Sequence, residues 1–258
     1  MSVNYHSITE SPGLKASKEQ LERLYHRYYF ARNYAEGKDV LEVACGSGIG
    51  LGFLARKTKI VIAGDIDRRN VSIATDLYRG GNIKIEEMDA HNLNFPDGSF
   101  DVVLLFEAIY YLTNTERFFK EAFRVLRPDG VLIICTVNKD WADFHPSPFA
   151  YQYYSVPELN ALLKRYFTSV EFYGAFPTVS NGIIEKAVSL LKRIATRFNL
   201  IPGSLAARAY LKRIFIGPLQ PLPQQIQEGM CEYVPPTKIA PDKQIADYKI
   251  IYAVAKKR

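Results

Sequence analysis

Short apolar runs alternate with amphipathic segments through the first half of the chain. Runs rich in Val, Ile, Leu and Phe predict strands at 38–43, 60–65, 83–88, 100–106 and 131–137. Segments with apolar residues at helical spacing predict helices at 50–57, 69–78 and 116–126. Nearly continuous apolar strands separated by such helices are typical of a parallel sheet covered on both faces. The pattern therefore predicts an α/β fold with a mostly parallel sheet.

The remaining pattern extends this core at both ends. Residues 1–17 are polar and predict a poorly ordered arm, and residues 18–36 predict a helix. A Ser-Val-Pro-Glu sequence at 155–158 has the features of a helix start, and strands are predicted at 170–175 and 246–255. We therefore expect an N-terminal arm and cap helix at 1–36, a core at 37–176 and 246–258, and an insertion at 177–245.

The insertion holds the excess charge of the chain. Residues 181–216 contain seven basic residues and one acidic residue, which accounts for the whole net charge of +6. The basic residues flank a broad apolar stripe over 183–216, which is consistent with a lid over an acceptor site, a helix on an anionic membrane surface or a dimerisation element. The stretch after 217 is Pro-rich, and its apolar anchors predict an ordered, extended segment: Ile226, Met230, Tyr233, Val234 and Ile239.

The composition of the chain limits where the protein is expected to reside and what it is expected to bind. The start of the chain lacks the apolar stretch of a signal peptide. The longest apolar run, 102–112, is far shorter than the roughly 20 residues of a membrane-spanning helix. Cys45, Cys135 and Cys231 are widely scattered and lack metal-ligand spacing. We expect a cytoplasmic protein without a metal site or a nucleic-acid partner, with peripheral membrane contact through 183–216 and a homodimer as open alternatives.

A glycine-rich turn follows the first strand of the core, and an acidic residue follows the second. Gly46 and Gly48 lie in the turn, and Asp65 ends the next strand about 20 residues later. In open α/β sheets, ligands bind at these strand ends, where an acidic residue can accept both hydroxyls of a ribose. Enzymes that bind NAD share both features, but their G-x-G-x-x-G turn requires glycine or alanine where this chain has Leu51.

Further motifs separate these classes. Residues 88–103 read MDAHNLNFPDGSFDVV, residues 126–130 read LRPDG, and residues 27–31 read RYYFA. Together with the glycine turn and Asp65, these motifs resemble the class I S-adenosylmethionine-dependent methyltransferases of the small-molecule branch over roughly residues 20–140. The chain departs from the family pattern at Ala44, where glycine is usual, and at Asn94, where proline is frequent. The resemblance implies a Rossmann-like, seven-stranded sheet whose last strand is antiparallel beside strand five.

The resemblance also implies a set of cofactor-binding residues. It implies that the turn borders the methionine part of S-adenosylmethionine, that the acidic residue after strand two holds the ribose, and that the ends of strands three and four contact the adenine and face the methyl group. The residues implied are Arg27 or Tyr28 for the carboxylate, Glu42, Gly46 and Gly48 for the turn, Asp65 and Ile66 for ribose and adenine, Asp89 and Ala90 for the adenine edge, and Phe106 and Glu107 for the methyl group.

The acceptor site is expected in the loop after strand five. There His145 is the candidate general base, with an ordinary loop histidine as the alternative, and a base is required only where the acceptor loses a proton. Aromatic residues that could line the acceptor, or merely pack, are Tyr110, Trp141, Tyr151, Tyr153 and Tyr154. The expected reaction is O- or N-methylation of a small metabolite, sugar or lipid-linked intermediate. The alternatives are a non-catalytic cofactor-binding partner protein and an NAD-dependent oxidoreductase.

Overall fold

The structure, a computed structural model, describes residues 9–178 and 218–258. The basic apolar stripe at 183–216 lies outside the described residues, so the three interpretations of it stay predictions.

A mixed sheet of eight strands forms the centre of the described fold. Its strands are β2 (Asp39–Val43), β3 (Ile60–Asp65), β4 (Ile83–Glu87), β5 (Phe100–Phe106), β6 (Leu126–Val137), β7 (Ser169–Pro177), β9 (Thr237–Ile239) and β10 (Tyr248–Lys256). They lie in the order β4-β3-β2-β5-β6-β10-β7-β9. The first five are mutually parallel, whereas β10 is antiparallel to both of its neighbours. The predicted α/β class and the antiparallel last strand are confirmed, and the short edge strand β9 is additional to the seven strands expected.

Helices cover both faces of this sheet. They are α1 (Lys18–Ala35), α2 (Leu51–Ala55), α3 (Arg68–Leu77), α4 (Thr115–Val125) and α5 (Val156–Leu163), with a 3₁₀ turn at Ile109–Tyr111. One core cluster joins the sheet to α1 and α2 through Tyr25 and Phe53. A second joins the opposite face to α4 and α5 through Phe118 and Leu159. Burial on both faces explains why the inner parallel strands are mostly apolar, whereas the edge strand β4 carries exposed charged residues.

The N-terminal arm and the Pro-rich stretch are both built onto this core. The sequence predicts a poorly ordered arm, but its residues 9–17 are part of the fold, and β1 (Lys15–Ala16) pairs with β8 (Gln220–Pro221). The Pro-rich stretch is anchored as predicted by Ile226, which is buried and donates its N–H to the Ile49 carbonyl. Met230 and Val234 are exposed and are not anchors. The alternation of polar and apolar residues could not predict these contacts, because they join segments about 200 residues apart.

A capping box fixes the start of α1. The Ser17 Oγ accepts a bond of 3.2 Å from the Gln20 N–H, and the Gln20 Oε1 accepts one of 2.9 Å from the Ser17 N–H. The two bonds satisfy backbone donors that would otherwise lack partners at the helix start. They therefore set where α1 begins, and α1 carries Arg27 and Tyr28 toward the carboxyl edge of the sheet.

We predict that Ser17→Ala lowers the free energy of unfolding by about 1 kcal/mol, the usual loss for an N-cap. Ser17→Asp should stay near wild type, because aspartate also caps helices well. Urea unfolding of the three proteins checks this. An alanine variant as stable as wild type would show that the capping box contributes nothing.

Candidate functional site

A cavity of about 550 Å³ opens at the carboxyl ends of the parallel strands. Its wall is formed by residues that follow β2, β3, β4 and β5, and α1 and the arm cover it. The volume lies within the ~300–1,000 Å³ of small-molecule sites. The position is the one at which open α/β sheets bind ligands. The cavity is therefore the candidate site.

The turn after β2 brings one of its two motif glycines to the cavity. Gly46 has a φ of +58°, and a Cβ there would lie 2.7 Å from the Thr9 Cγ2. Gly48 has a φ of +78° and packs against α3, where a Cβ would lie 3.0 Å from the Ala74 Cβ. Gly46 lines the cavity and Gly48 does not. The second glycine permits close packing of the turn on α3, and the first leaves backbone exposed to a ligand.

Asp65 connects this turn to the start of α3. Its Oδ2 accepts the Gly46 N–H at 2.9 Å, and its Oδ1 accepts the Asp67 N–H at 2.9 Å and the Asn70 amide at 3.3 Å. Burial raises the pKa of Asp65, and these bonds only partly offset the effect. Two carboxylate oxygens accept about four hydrogen bonds. Asp65 therefore holds the turn in shape and retains acceptor capacity at the cavity wall.

Two side chains of α1 enter the site. The Arg27 guanidinium forms an ion pair with Glu10 of the arm, and its Nε has no hydrogen-bond partner among the described residues. The Tyr28 hydroxyl donates to the Glu42 Oε1 at 2.6 Å, while the Glu42 Oε2 has no partner within that part of the chain. Burial raises the pKa of Glu42 to about 7, against opposing contributions from Tyr28 and Arg27. Unmatched buried polar atoms of this kind mark places where a ligand can supply the missing bonds.

The raised pKa of Glu42 predicts a dependence of stability on pH. The folded-state pKa of about 7 exceeds the ordinary 4.5, so between these values unfolding releases a proton, and rising pH favours the unfolded chain. We predict that wild type loses on the order of 3 kcal/mol relative to Glu42→Gln between pH 4.5 and 7. Urea unfolding across that range checks this. Equal losses in both proteins would contradict the assignment.

The end of β4 supplies a second acidic group. The Asp89 Oδ1 accepts the backbone N–H and the Nδ1 of His91, both at 2.8 Å. The His91 Nε2 accepts the Asn114 N–H at 3.2 Å, which leaves Nδ1 as the ring nitrogen that donates to Asp89. Burial raises the pKa of Asp89, but the bonds from His91 outweigh burial and hold it below its ordinary value. Asp89 is thus an ionised acceptor, and exposed Ile66 presents an apolar surface in the same cavity.

Glu107 follows β5, which is the neighbour of β2 on the side away from β3. Its backbone has a φ of +51°, and its N–H donates to the Cys135 carbonyl at 2.8 Å. Its Oε2 accepts the Tyr110 hydroxyl at 2.9 Å. Tyr110 stacks on Tyr153 with centroids 4.7 Å apart, and Phe106 meets the Tyr28 ring edge-on. This wall combines a carboxylate with aromatic rings.

The structure brings most of the predicted cofactor residues together, and of the predicted acceptor residues it adds only Tyr110 to the same cavity. Besides Gly46, the cavity is lined by Arg27, Tyr28, Glu42, Asp65, Ile66, Asp89, Ala90, Phe106, Glu107 and Tyr110. Among the others, His145 is exposed, and Tyr151 is exposed with its N–H on the Tyr110 carbonyl. The Tyr154 hydroxyl donates to Thr115, and the Trp141 ring contacts Arg23 and Lys249. None of these four lines the cavity, so their proposed roles stay predictions.

Sequence reasoning missed Glu10 and Arg23, which both line the cavity. Arg23 lies four residues before Arg27 on α1, so helical spacing places both on one face. No local pattern marks Glu10, because its place depends on how the arm folds back. The wall then contains five carboxyl groups and two guanidinium groups: Glu10, Glu42, Asp65, Asp89, Glu107, Arg23 and Arg27. The excess of carboxylates favours a ligand that carries positive charge.

Two features are absent from residues 9–178 and 218–258. No group of three or more His, Cys, Asp or Glu side chains is arranged to hold a metal ion there. No helix in these ranges is long and apolar enough to cross a membrane.

Comparisons with known proteins give the family of this domain. Residues 41–134 match a family described as a methyltransferase domain. A probable S-adenosylmethionine-dependent methyltransferase of Mycolicibacterium smegmatis is 33% identical over 175 residues, which cover 64% of this chain and 66% of that protein. A phthiotriol/phenolphthiotriol dimycocerosates methyltransferase of Mycobacterium ulcerans is 33% identical over 162 residues, 59% of each chain. The chain thus spans at most 66% of the length of either relative.

A solved structure shares the fold over nearly its whole length. The YcgJ protein from Bacillus subtilis superposes with a TM-score of 0.59 at 18% identity, covering 91% of this chain and 99% of that one. At this identity the likeness concerns the fold alone. The family match and the relatives identify residues 41–134 as a methyltransferase domain similar to those of S-adenosylmethionine-dependent methyltransferases, and the solved structure shows the same α/β fold for the sheet built around them.

Proposed function

We propose that this protein transfers a methyl group from S-adenosylmethionine to an oxygen or nitrogen atom of a small metabolite, sugar or lipid-linked acceptor. The observation that carries the proposal is the convergence of Gly46, Asp65 and Glu107 on one cavity, from three neighbouring strand ends. The Mycobacterium ulcerans relative, named for phthiotriol and phenolphthiotriol dimycocerosates, supports the lipid-linked class among these acceptors.

The residues present fit the cofactor. The unpartnered Nε of Arg27 suits a carboxylate, the bare backbone at Gly46 allows an amino-acid chain to approach closely, and Asp65 has acceptor capacity left for a ribose hydroxyl. Ile66 and Ala90 offer apolar contact to a purine ring, with Asp89 as an acceptor for its amino group. We assign these residues to cofactor binding, with Glu42 supporting the turn through Tyr28.

The bound cofactor supplies a methyl group that is already activated on a sulfonium. The chain therefore has mainly to align an acceptor and exclude water, and alignment alone can contribute roughly 7–11 kcal/mol to lowering the barrier. Tyr110, whose hydroxyl donates to Glu107, and Tyr111 are aromatic residues that line the cavity. Glu107, inside the cavity, is better placed than exposed His145 to receive a proton from an acceptor.

Methyl transfer can be tested without knowing the acceptor. Purified protein is incubated with S-adenosylmethionine tritiated in its methyl group and a cell extract separated into lipid and aqueous fractions. We expect tritium in a small-molecule or lipid product, and none with Asp65→Ala. Cofactor binding without transfer to any fraction would favour a non-catalytic cofactor-binding protein. Binding of NADH in its place would favour an oxidoreductase.

A further inference from the structure

Glu107 is held in the cavity at an energetic cost. A φ of +51° is uncommon for any residue other than glycine, asparagine or aspartate, and a glutamate in this conformation is strained. The bond from its N–H to the Cys135 carbonyl extends the β5–β6 pairing by one residue and holds this conformation. Strain that the surrounding structure maintains is typical of functional sites. The outcome here is that the carboxylate faces the cavity.

Neutral groups are the hydrogen-bond partners of this carboxylate. The Oε2 accepts the Tyr110 hydroxyl at 2.9 Å, and the Oε1 lies 3.8 Å from the Cys135 thiol. Among the described residues, Glu107 forms no ion pair, because Arg27 pairs with Glu10 and Arg23 pairs with Glu19. The cavity thus contains a carboxylate whose charge no neighbouring cation directly balances.

Burial raises the pKa of Glu107, and the more distant Arg27 and the Tyr110 hydrogen bond only partly offset the effect. The carboxyl therefore takes up a proton more readily than an ordinary glutamate, unless a cation lies beside it. Titratable and charged groups from several elements face Glu107. They are Glu10 of the arm, Arg23 and Arg27 of α1, Tyr110 of the 3₁₀ turn, Cys135 of β6, Tyr153 of the loop that follows β6, and Tyr252 of β10.

The strand order places the side chain of Glu107 within reach of the centre of a bound cofactor. The ends of β3, β2 and β5 are neighbours, and they carry Asp65, Gly46 and Glu107 respectively. Adjacent strands lie about 4.8 Å apart, so the outer two are separated by roughly 10 Å. In S-adenosylmethionine the sulfonium joins the ribose to the amino-acid chain. With the ribose at Asp65 and the amino-acid chain at Gly46, the sulfonium lies between β3 and β2, roughly 7 Å from the end of β5, a gap that the side chain of Glu107 can span.

We propose that Glu107 is the counter-ion of the sulfonium and makes the cavity prefer S-adenosylmethionine over S-adenosylhomocysteine. This inference rests on the proposed function. The two molecules differ by one methyl group and one positive charge, so a contact that senses charge can separate them. The ionised carboxylate attracts the sulfonium, whereas with the neutral thioether the same buried carboxyl favours its protonated form. The preference would favour release of the demethylated product.

Calorimetric titration of both molecules into wild type and Glu107→Gln tests this proposal. We expect the variant to bind S-adenosylmethionine at least ~10-fold more weakly, since opposite charges a few ångströms apart couple at least that strongly in a partly buried site. Its affinity for S-adenosylhomocysteine should be unchanged or higher. Exposed Glu86 on β4, replaced by glutamine, is the matched control and should alter neither affinity.

The pH dependence gives a second readout. Wild-type affinity for S-adenosylmethionine should rise with pH through the pKa of Glu107, because the cation requires the ionised carboxylate. Glu107→Gln should lose this rise. Tyr110→Phe should move it to higher pH, because the Tyr110 hydrogen bond lowers the pKa of Glu107.

The titrations distinguish failure of this inference from failure of the proposed function. Equal weakening of both ligands by Glu107→Gln would show that Glu107 has only a structural role, and unchanged affinity for both would show that it is not a counter-ion. In either case wild type still binds both ligands, so only this inference fails. Wild type that binds neither ligand would overturn the proposed function itself.

Discussion

Replacing Asp65 by alanine is expected to weaken S-adenosylhomocysteine binding by at least ~10-fold, because one hydrogen bond from a ribose hydroxyl to a carboxylate contributes roughly 1.5–3 kcal/mol. The loss has a second source in this fold. Asp65 also accepts the Gly46 and Asp67 N–H groups, so its removal releases the turn that should border the amino-acid part of the ligand.

Matched variants separate these contributions. Asp65→Asn should also bind poorly, because both carboxylate oxygens accept N–H groups and an amide nitrogen cannot replace either oxygen. Asp76→Ala removes an exposed carboxylate from the same helix region and should bind like wild type. Calorimetric titration of the three folded variants measures the effect. Asp65→Ala that binds within a factor of three of wild type would exclude Asp65 from the site.

Gly50→Ala is the second change with a large expected effect. A Cβ at Gly50 would lie 2.0 Å from the Tyr28 ring, which cannot move without breaking its bond to Glu42. Overpacking costs about 1–3 kcal/mol, and loss of a hydrogen bond to a buried charged group costs about 1.5–3 kcal/mol. We therefore expect a loss of roughly 3–6 kcal/mol in the free energy of unfolding, together with weaker ligand binding.

A glycine in open space gives the control for that experiment. Gly98 has a φ of +64° and no atom within 4 Å of an added Cβ, so Gly98→Ala should cost only the ~1–2 kcal/mol of a left-handed residue. Urea unfolding of both variants measures the difference. If the two lose equal stability, close packing of α1 on the turn is not what Gly50 provides. Gly50→Ala should also cost less in a Tyr28→Leu background, where the clash is smaller.

The parts of the site that lie on regular elements were predictable from the sequence. Gly46, Asp65 and Glu107 follow apolar strands, and parallel strands bring their carboxyl ends to one edge of the sheet. Motif spacing could not distinguish the two turn glycines. Gly48 faces α3 and Gly46 faces the cavity, and that difference depends on how the helix packs.

Contacts between distant segments could not be predicted. Glu10 reaches Arg27 only because β1 pairs with β8, across more than 200 residues. The acceptor prediction placed Trp141 and His145 by analogy with the loop after strand five. In the fold the cavity wall is completed by the 3₁₀ turn at 109–111 and the residues that follow it. Loop positions are set by packing, which hydrophobic periodicity does not record.

The most direct test of the cofactor assignment is calorimetric titration of the wild-type chain with S-adenosylhomocysteine, with NADH titrated in parallel. The assignment predicts saturable binding of S-adenosylhomocysteine with a dissociation constant in the micromolar range and no heat from NADH. Binding of NADH alone would contradict it, and so would a folded protein that binds neither compound.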